Sequence, residues 1–475
     1  MLFTSLTYFL FLPLALFFYY ILPAKFRKYF LIAVSAFFYM CVKVEYIFIV
    51  LLVIIVNFGI GLNLETLKNI KSKRILLYTG LFINIGILFI FKYWNFTIDN
   101  IFNLLGWFNL KIEIPLLDVL LPLGLSYYIF QTIGYIVDIY RSSIKAEKNI
   151  ANFTLFVLFF PKLLVGPIER ANRFLPQISK YIYYHQDNII EGSKRIAWGL
   201  FKKLVVADRI AIFQSSIFAH VRDQSAGTLL FASILYTFQV YADFSGYTDI
   251  ALGSARLFGI DLMENFRRPL LAKNISDFWR RWHISLSSWV NDYIFNPIAL
   301  KYRALGNWSI VYALFISFIV IGIWHGAAWN YVFFGVLQAM ALVYEANTKR
   351  FRRKISKKIP SGVYNITSIL VTFLFVTFSL IIFRSGTISE AMVTIRGIFS
   401  NHGVFFYEKP STLLFMLIGC GIMLVYDIQE EYKIFRFSFF SNKNWVIQEI
   451  SYAFLLIYIL LAGVFDGGQF IYFSF

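Results

Sequence analysis

The chain has 475 residues, 59% of them hydrophobic and only 15% charged, with a mean hydropathy of +0.67. Soluble domains run at about 45–50% apolar and about 25% charged, so that class is excluded; the apolar residues also fall in blocks long enough to cross about 30 Å of hydrocarbon. The formal net charge of +18 is not read as a nucleic-acid signature, because much of the Lys and Arg lies in short loops between apolar blocks, as the positive-inside rule expects. Attraction of an anionic substrate or donor is the remaining alternative.

These observations predict an all-α polytopic membrane protein with about ten to twelve transmembrane helices, plus re-entrant and interfacial amphipathic pieces. One integral-membrane domain covers 1–475: N-terminal helices over 1–150, a motif-bearing core over 151–345 and C-terminal helices over 346–475. Met1 to Leu22 has no basic residue before it; Lys25, Arg27 and Lys28 follow it. That order predicts a first membrane helix with its N-terminus outside, not a cleaved signal peptide. Helices are expected over 3–22, 29–42, 44–61, 75–93 and 116–137. The basic loops at Lys68 to Arg74 and Arg141 to Lys148 lie on the cytoplasmic side, and the charge-poor stretch ending at Pro115 outside.

The middle is less regular. Phe153 to Val165 carries Pro161 and Lys162 and precedes Gly166-Pro167, which predicts a broken, re-entrant segment. Residues 192–218 mix six charges with Ile, Leu, Val and Phe, as in a helix lying at the cytoplasmic interface. Two apolar spans are expected near 228–242 and 246–260. From Asn265 to Tyr302 cations alternate with aromatics; Phe278, Trp282, Ser285 and Trp289 share one helical face, and Asp277 can reach Arg280 or Arg281 across a turn. Spans return over 309–325, 327–345, 364–383, 413–427 and 446–465. The basic run Lys349 to Lys358 marks a cytoplasmic loop, 384–412 an outside one.

Chemistry concentrates between Phe278 and Gly326. This stretch begins Phe-Trp-Arg-Arg-Trp-His-Ile-Ser-Leu-Ser-Ser-Trp and ends Gly-Ile-Trp-His-Gly, and it holds two of the chain's five histidines. His325 lies in sequence expected to be membrane-embedded, where an ionisable group is expensive and functional by default. Gly322 and Gly326 allow backbone or ligand to approach, and Trp324 and Trp329 wall the site. A neutral buried imidazole can accept a proton from an attacking hydroxyl. The competing reading is a histidine bonded to a neighbouring helix. For His283 the residues alone leave a ligand contact and a structural role open. Arg280 and Arg281 suit an anionic donor or salt bridging. Two polar islands, Tyr241 to Asp249 with Asp243 and Ser245, and Pro161 to Arg170 with Lys162, either line a cavity or pair internally. No Walker loop, dinucleotide fingerprint, Gly-x-Ser-x-Gly elbow or His-Glu-x-x-His is present, and no metal is expected. Cys41 and Cys420 form no motif.

Four blocks together resemble the membrane-bound O-acyltransferase family: Phe160-Pro-Lys-Leu-Leu-Val-Gly-Pro-Ile-Glu-Arg, Tyr241-Ala-Asp-Phe-Ser-Gly-Tyr-Thr-Asp-Ile-Ala, Asp277-Phe-Trp-Arg-Arg-Trp-His-Ile-Ser-Leu-Ser-Ser-Trp and Gly322-Ile-Trp-His-Gly-Ala-Ala-Trp. The closing Gln469-Phe-Ile-Tyr-Phe-Ser-Phe also looks like its bacterial branch of alginate O-acetyltransferases and teichoic-acid D-alanyl transfer proteins, nearer the alginate side. The resemblance implies His325 as the essential histidine and His283 as the second family position. It implies a funnel from outside and a donor tunnel from the cytoplasm, meeting near the bilayer middle, although the charge count puts His325 near the outer end of its span. The donor implied is acetyl-CoA or an acyl-carrier thioester, with no permanently bound cofactor. The acceptor implied is a hydroxyl on an exported polysaccharide or on an extracytoplasmic, hydrolase-like partner. Arg280, Arg281, Trp282, Trp324, Lys162, Asp243 and Ser245 are carried as substrate- or donor-binding candidates in a bacterial inner-membrane protein. The rival class is a transporter or flippase for a lipid-linked saccharide.

Overall fold

A computed structural model describes residues 1–110, 114–118, 121–406, 410–434, 440, 442 and 444–465. The closing block from Gln469 lies outside the described residues. Every regular element among them is helical. Contacts group the chain into two compact units, Met1–Ser193 with Ala251–Met263, and Lys194–Ile250 with Glu264–Phe475.

In the first unit, α1 (Leu6–Ile21), α2 (Ala24–Met40), α3 (Tyr46–Thr66) and α4 (Ile70–Leu88) follow the expected apolar blocks. A π-turn at Phe89–Tyr93 carries α4 into α5 (Trp94–Trp107). The expected outside loop after residue 93 is therefore helix as far as 107; no proline or paired glycines interrupt it. Then come α6 (Leu125–Tyr140), α7 (Ile150–Leu158), α8 (Phe160–Leu163) and α9 (Ala171–Ile178). The break between α7 and α8 falls at Phe159, just before Phe160-Pro161, as the proline predicts. Helices α3, α4 and α6 pack together, and α7 packs on α2 and α3. Tyr8 of α1 bonds Ser254 at 2.7 Å and Tyr20 donates to the Leu257 carbonyl at 2.6 Å.

The chain continues through α10 (Gln186–Leu200), a π-segment at Phe201–Ala207 and α11 (Asp208–Phe218). This is not the interfacial helix expected over 192–218. Every residue from Phe201 to Ala207 is buried, and Lys203 lies 2.7 Å from both Asp208 and Asp243. Paired cations can leave water where single ones cannot. Next, α12 (Ala226–Leu257) runs 32 residues as one helix, where two spans near 228–242 and 246–260 are expected. One interior glycine costs a helix only about 1 kcal/mol. Here it has a packing reason, because a Cβ on Gly246 would approach the Gly199 carbonyl oxygen to 2.9 Å.

In the second unit, α13 (Ile275–Arg281) and α14 (Ile284–Val290) replace the single amphipathic helix expected there. Trp282 is extended and His283 left-handed (φ 44°), so the chain turns between them. A π-turn at Asn291–Phe295 leads to α15 (Asn296–Lys301). Then follow α16 (Asn307–His325), α17 (Trp329–Ser356), α18 (Ser361–Arg384), α19 (Ile388–Ser400) within the expected outside loop, α20 (Pro410–Tyr432) and α21 (Trp445–Ala462). Helix α17 packs against α16 and α18, while α20 and α21 pack on the 201–207 segment.

Six helical stretches among the described residues are long and apolar enough to cross a membrane: Tyr46–Thr66, Ile70–Trp107, Asn307–His325, Ser361–Arg384, Pro410–Tyr432 and Trp445–Ala462. Others of the expected crossings are shorter or more polar, such as the 16-residue α1. The span surfaces suit lipid: Phe82 is 78% and Leu461 73% exposed, a placement that water would penalise and hydrocarbon would not.

Candidate active site

Helix α16 ends on its histidine. Its backbone carries Trp324 and His325 to the last turn, and Gly326-Ala-Ala leads straight into α17. The flanking glycines serve backbone packing: a Cβ on Gly322 would stand 2.2 Å from the Tyr331 carbonyl oxygen, and one on Gly326 2.1 Å from the Tyr331 ring. These approaches seat α17 against α16 and fix where His325 is presented.

His325 is 4% exposed and lines a narrow cavity of about 20 Å³. Phe278, Trp282, Gln338, Ser379 and Phe383 form other parts of its wall, which carries no charged side chain among the described residues. Phe278 and Trp282 stack at 5.5 Å, and Phe383 meets the His325 ring edge-on at 5.2 Å. Gln338 is oriented by the Trp279 indole N–H, which donates to it at 3.1 Å.

His283 stands behind this wall. It is 0% exposed, with its ring centroid 6.4 Å from that of His325 and 5.4 Å from Trp324, and Phe244 of α12 meets it edge-on at 4.8 Å. Its Nδ1 is 3.1 Å from Asn265 Oδ1. Burial pushes the imidazole down to about 3, so it is neutral near pH 7. A left-handed non-glycine residue costs of order 1–3 kcal/mol and tends to occur where function holds it.

The remaining candidates separate. Trp282 and Trp324 join the two histidines. Arg281 instead bridges Asp277 at 3.1 Å and Glu431 at 2.9 Å, while Arg280 is 71% exposed and 3.8 Å from Asp277. Asp277 thus pairs across one turn as the spacing predicts. Asp243 and Ser245 are buried partners of Lys203 and Lys202, at 2.7 and 2.9 Å. Lys202 also meets Asp249 at 2.5 Å, and Arg195 joins Asp249 to Glu264. Lys162 belongs to the first unit, where it donates to Gln131 Oε1 at 2.6 Å and to the Phe156 carbonyl. Sequence reasoning missed Asn265, Gln338, Phe383 and Glu431. Glu345 is a fifth: its carboxylate accepts from the Ile275 and Ser276 amides at 2.5 and 3.0 Å and seats the start of α13.

The sequence profile of the MBOAT, membrane-bound O-acyltransferase family, matches residues 140–387, a range that contains both histidines and the cavity. The chain belongs to the membrane-bound O-acyltransferase family. It is 34% identical over 394 residues to a probable alginate O-acetylase of Pseudomonas putida, covering 82% of this chain and 79% of that one. It is 33% identical to the peptidoglycan O-acetyltransferase of Helicobacter pylori, covering 84% and 80%. A teichoic acid D-alanyltransferase of Bacillus subtilis aligns at 32% over 55% of this chain and 68% of its own, so the alginate side is covered more fully, as the motifs imply. This O-acyltransferase is a multi-pass integral protein of the bacterial cell membrane.

Proposed function

We propose that this O-acyltransferase transfers an acetyl group from a cytoplasmic thioester, acetyl-CoA or an acyl-carrier thioester, to a hydroxyl on an exported cell-surface polysaccharide or on an extracytoplasmic partner protein. His325 is the general base. The observation that carries this reading is a buried histidine on the wall of an uncharged cavity, inside the family-matched region. The relatives named for alginate and peptidoglycan acetylation support acetyl as the group and a glycan as the acceptor.

The chemistry follows from the donor set. Neutral His325 takes the proton of the acceptor hydroxyl as its oxygen attacks the thioester carbonyl. The C–S bond then breaks, and the leaving thiolate takes that proton from the imidazolium, giving ester and thiol with the histidine restored. No side chain needs to carry the acyl group. General-base action is worth about 10²–10⁴-fold, and holding the two reactants together supplies further rate. Apolar walls of Phe278, Trp282 and Phe383 suit an uncharged acetyl group and keep water from the thioester. His283 acts as the second residue of the site. The exposed Arg280 is open to an anionic donor; Arg281 serves by holding its segment.

The test uses purified protein in lipid nanodiscs with labelled acetyl-CoA and a polysaccharide acceptor. His325→Ala should lose about 10²–10⁴-fold of label transfer while remaining folded. Equal transfer by both proteins would sink the mechanism. Loss of polymer export with acetylation intact would favour a saccharide transporter.

A further inference from the structure

The Asn265 side-chain oxygen gathers three groups. The Ser285 backbone N–H donates to it at 3.1 Å, Ser285 Oγ donates at 2.9 Å, and His283 Nδ1 stands 3.1 Å away. The backbone N–H settles the amide's orientation, because it can only donate; the group it meets must be the oxygen, not the NH₂. An amide oxygen has no proton to give, so the hydrogen between it and His283 belongs to Nδ1. A neutral imidazole carries one N–H. His283 Nε2 therefore presents a lone pair.

The backbone holds this arrangement in place. Ile284 N–H donates to the Asn265 carbonyl at 2.9 Å, and Arg267 N–H to the Arg281 carbonyl at 2.9 Å. The loop before α13 is thereby pinned across the left-handed turn at His283. Asn265 and His283 are both 0% exposed, so water does not compete for the contact. Around the imidazole, α12 contributes Phe244 and α16 contributes Trp324 and His325, the last being the titratable group among these ring contacts.

We propose that Asn265 is a positioning residue for acyl transfer, holding His283 as its Nδ1–H tautomer so that His283 works as a hydrogen-bond acceptor and not as an oxyanion donor. Whatever approaches Nε2, whether the acceptor hydroxyl or the His325 ring N–H, is met by a lone pair. The division of labour is then defined: His325 moves the proton, and His283 orients the group that carries it. This inference rests on the acetyl-transfer reading above.

The experiment compares the pH dependence of kcat for acetyl transfer in wild type, Asn265→Asp and Asn265→Leu. Aspartate keeps an acceptor for Nδ1–H but adds a negative charge that favours imidazolium, a change worth about 1–3 pH units for a close pair. Asn265→Asp should therefore move the acid limb of kcat upward by at least about one pH unit and recover to within a few-fold of wild type at alkaline pH. Leucine keeps the size and removes the acceptor. Asn265→Leu should lose at least about tenfold in kcat with little change in donor KM, the scale of one oriented hydrogen bond. A purely structural asparagine would leave the pH profile of the near-isosteric Asp variant unmoved. An unshifted limb, a uniform loss in Asn265→Asp at every pH, or wild-type kcat in Asn265→Leu would each overturn the proposal. If Asn265→Leu does not fold, the Asp profile alone decides. Failure of the acetyl-transfer reading looks different: His325→Ala would then match wild type.

Discussion

The His283 and His325 rings lie 6.4 Å apart, and the Trp324 indole stands edge-on to both, at 5.4 and 5.0 Å. Such contacts are worth about 0.5–1.5 kcal/mol each and are directional, so Trp324 sets the angle between two imidazoles it does not ionise. Trp324→Leu should lower kcat at least about tenfold with little change in donor KM. Combined with His283→Ala, the loss should be less than the product of the two, because both changes disturb one ring's placement. A kinetic double-mutant cycle checks this; strict multiplicativity would separate the residues.

Acid should destabilise the second unit through His283. Its folded value near 3 lies below the ordinary 6.5, and burial is the larger cause. Between those values the unfolded chain binds a proton that the folded chain refuses. Stability contributed by this group is therefore complete above pH 6.5 and lost as pH falls toward 3. Thermal midpoints in detergent should fall across that window and fall less in His283→Asn. Parallel curves for the two proteins would assign the acid response elsewhere.

Gly322→Ala should separate α16 from α17. Its Cβ would stand 2.2 Å from the Tyr331 carbonyl oxygen, and backbone on a packed helix cannot step aside as a side-chain tip can. Overpacking of this kind costs about 1–3 kcal/mol. The expected result is a lower thermal midpoint together with a larger loss of transfer, because His325 sits one turn further along α16. Wild-type behaviour in both would mean that the helices tolerate the added methyl.

Much of this site is legible in the chain because burial of polar groups is itself a signal. His325 and Trp324 stand out in an apolar run and Trp282 beside an arginine pair; His325 and Trp282 line the cavity, and Trp324 lies against the His325 ring. Asn265 does not stand out. It lies in an irregular segment with no periodicity, and its partner is 18 positions away. Lys162 and Arg281 were visible as charges, but not their acceptors Gln131 and Glu431, since a pairing across 31 or 150 positions is a tertiary fact. Two boundaries depart from the pattern: α12 runs unbroken through the polar island Tyr241 to Asp249, and the left-handed turn at His283 divides the amphipathic stretch.

For Lys162, the contacts favour a structural part. Lys162→Met leaves Gln131 Oε1 and the Phe156 carbonyl without that donor, and a buried acceptor so left costs about 1–3 kcal/mol. A lower thermal midpoint and a reduced folded yield are expected. A raised KM for the thioester at an unchanged midpoint would instead return Lys162 to the donor-binding role.

The π-segment at Phe201–Ala207 has a further consequence for how this chain tolerates change in length. A π-turn holds one residue more than an α-turn and behaves as an insertion absorbed within a helix. Deleting one residue there would let α10 run into α11 as ordinary helix with the residues after it close to their present phase, whereas the same deletion inside a regular helix turns everything after it by about 100°. A deletion between Lys203 and Asp208 would make them fourth neighbours, which face each other on an α-helix, so the 2.7 Å pairing of that ammonium with both Asp208 and Asp243 can persist. The widened turn is thus the place where this helix can lose a codon: a deletion that would scramble the faces of an ordinary helix is taken up there by closing the π-turn.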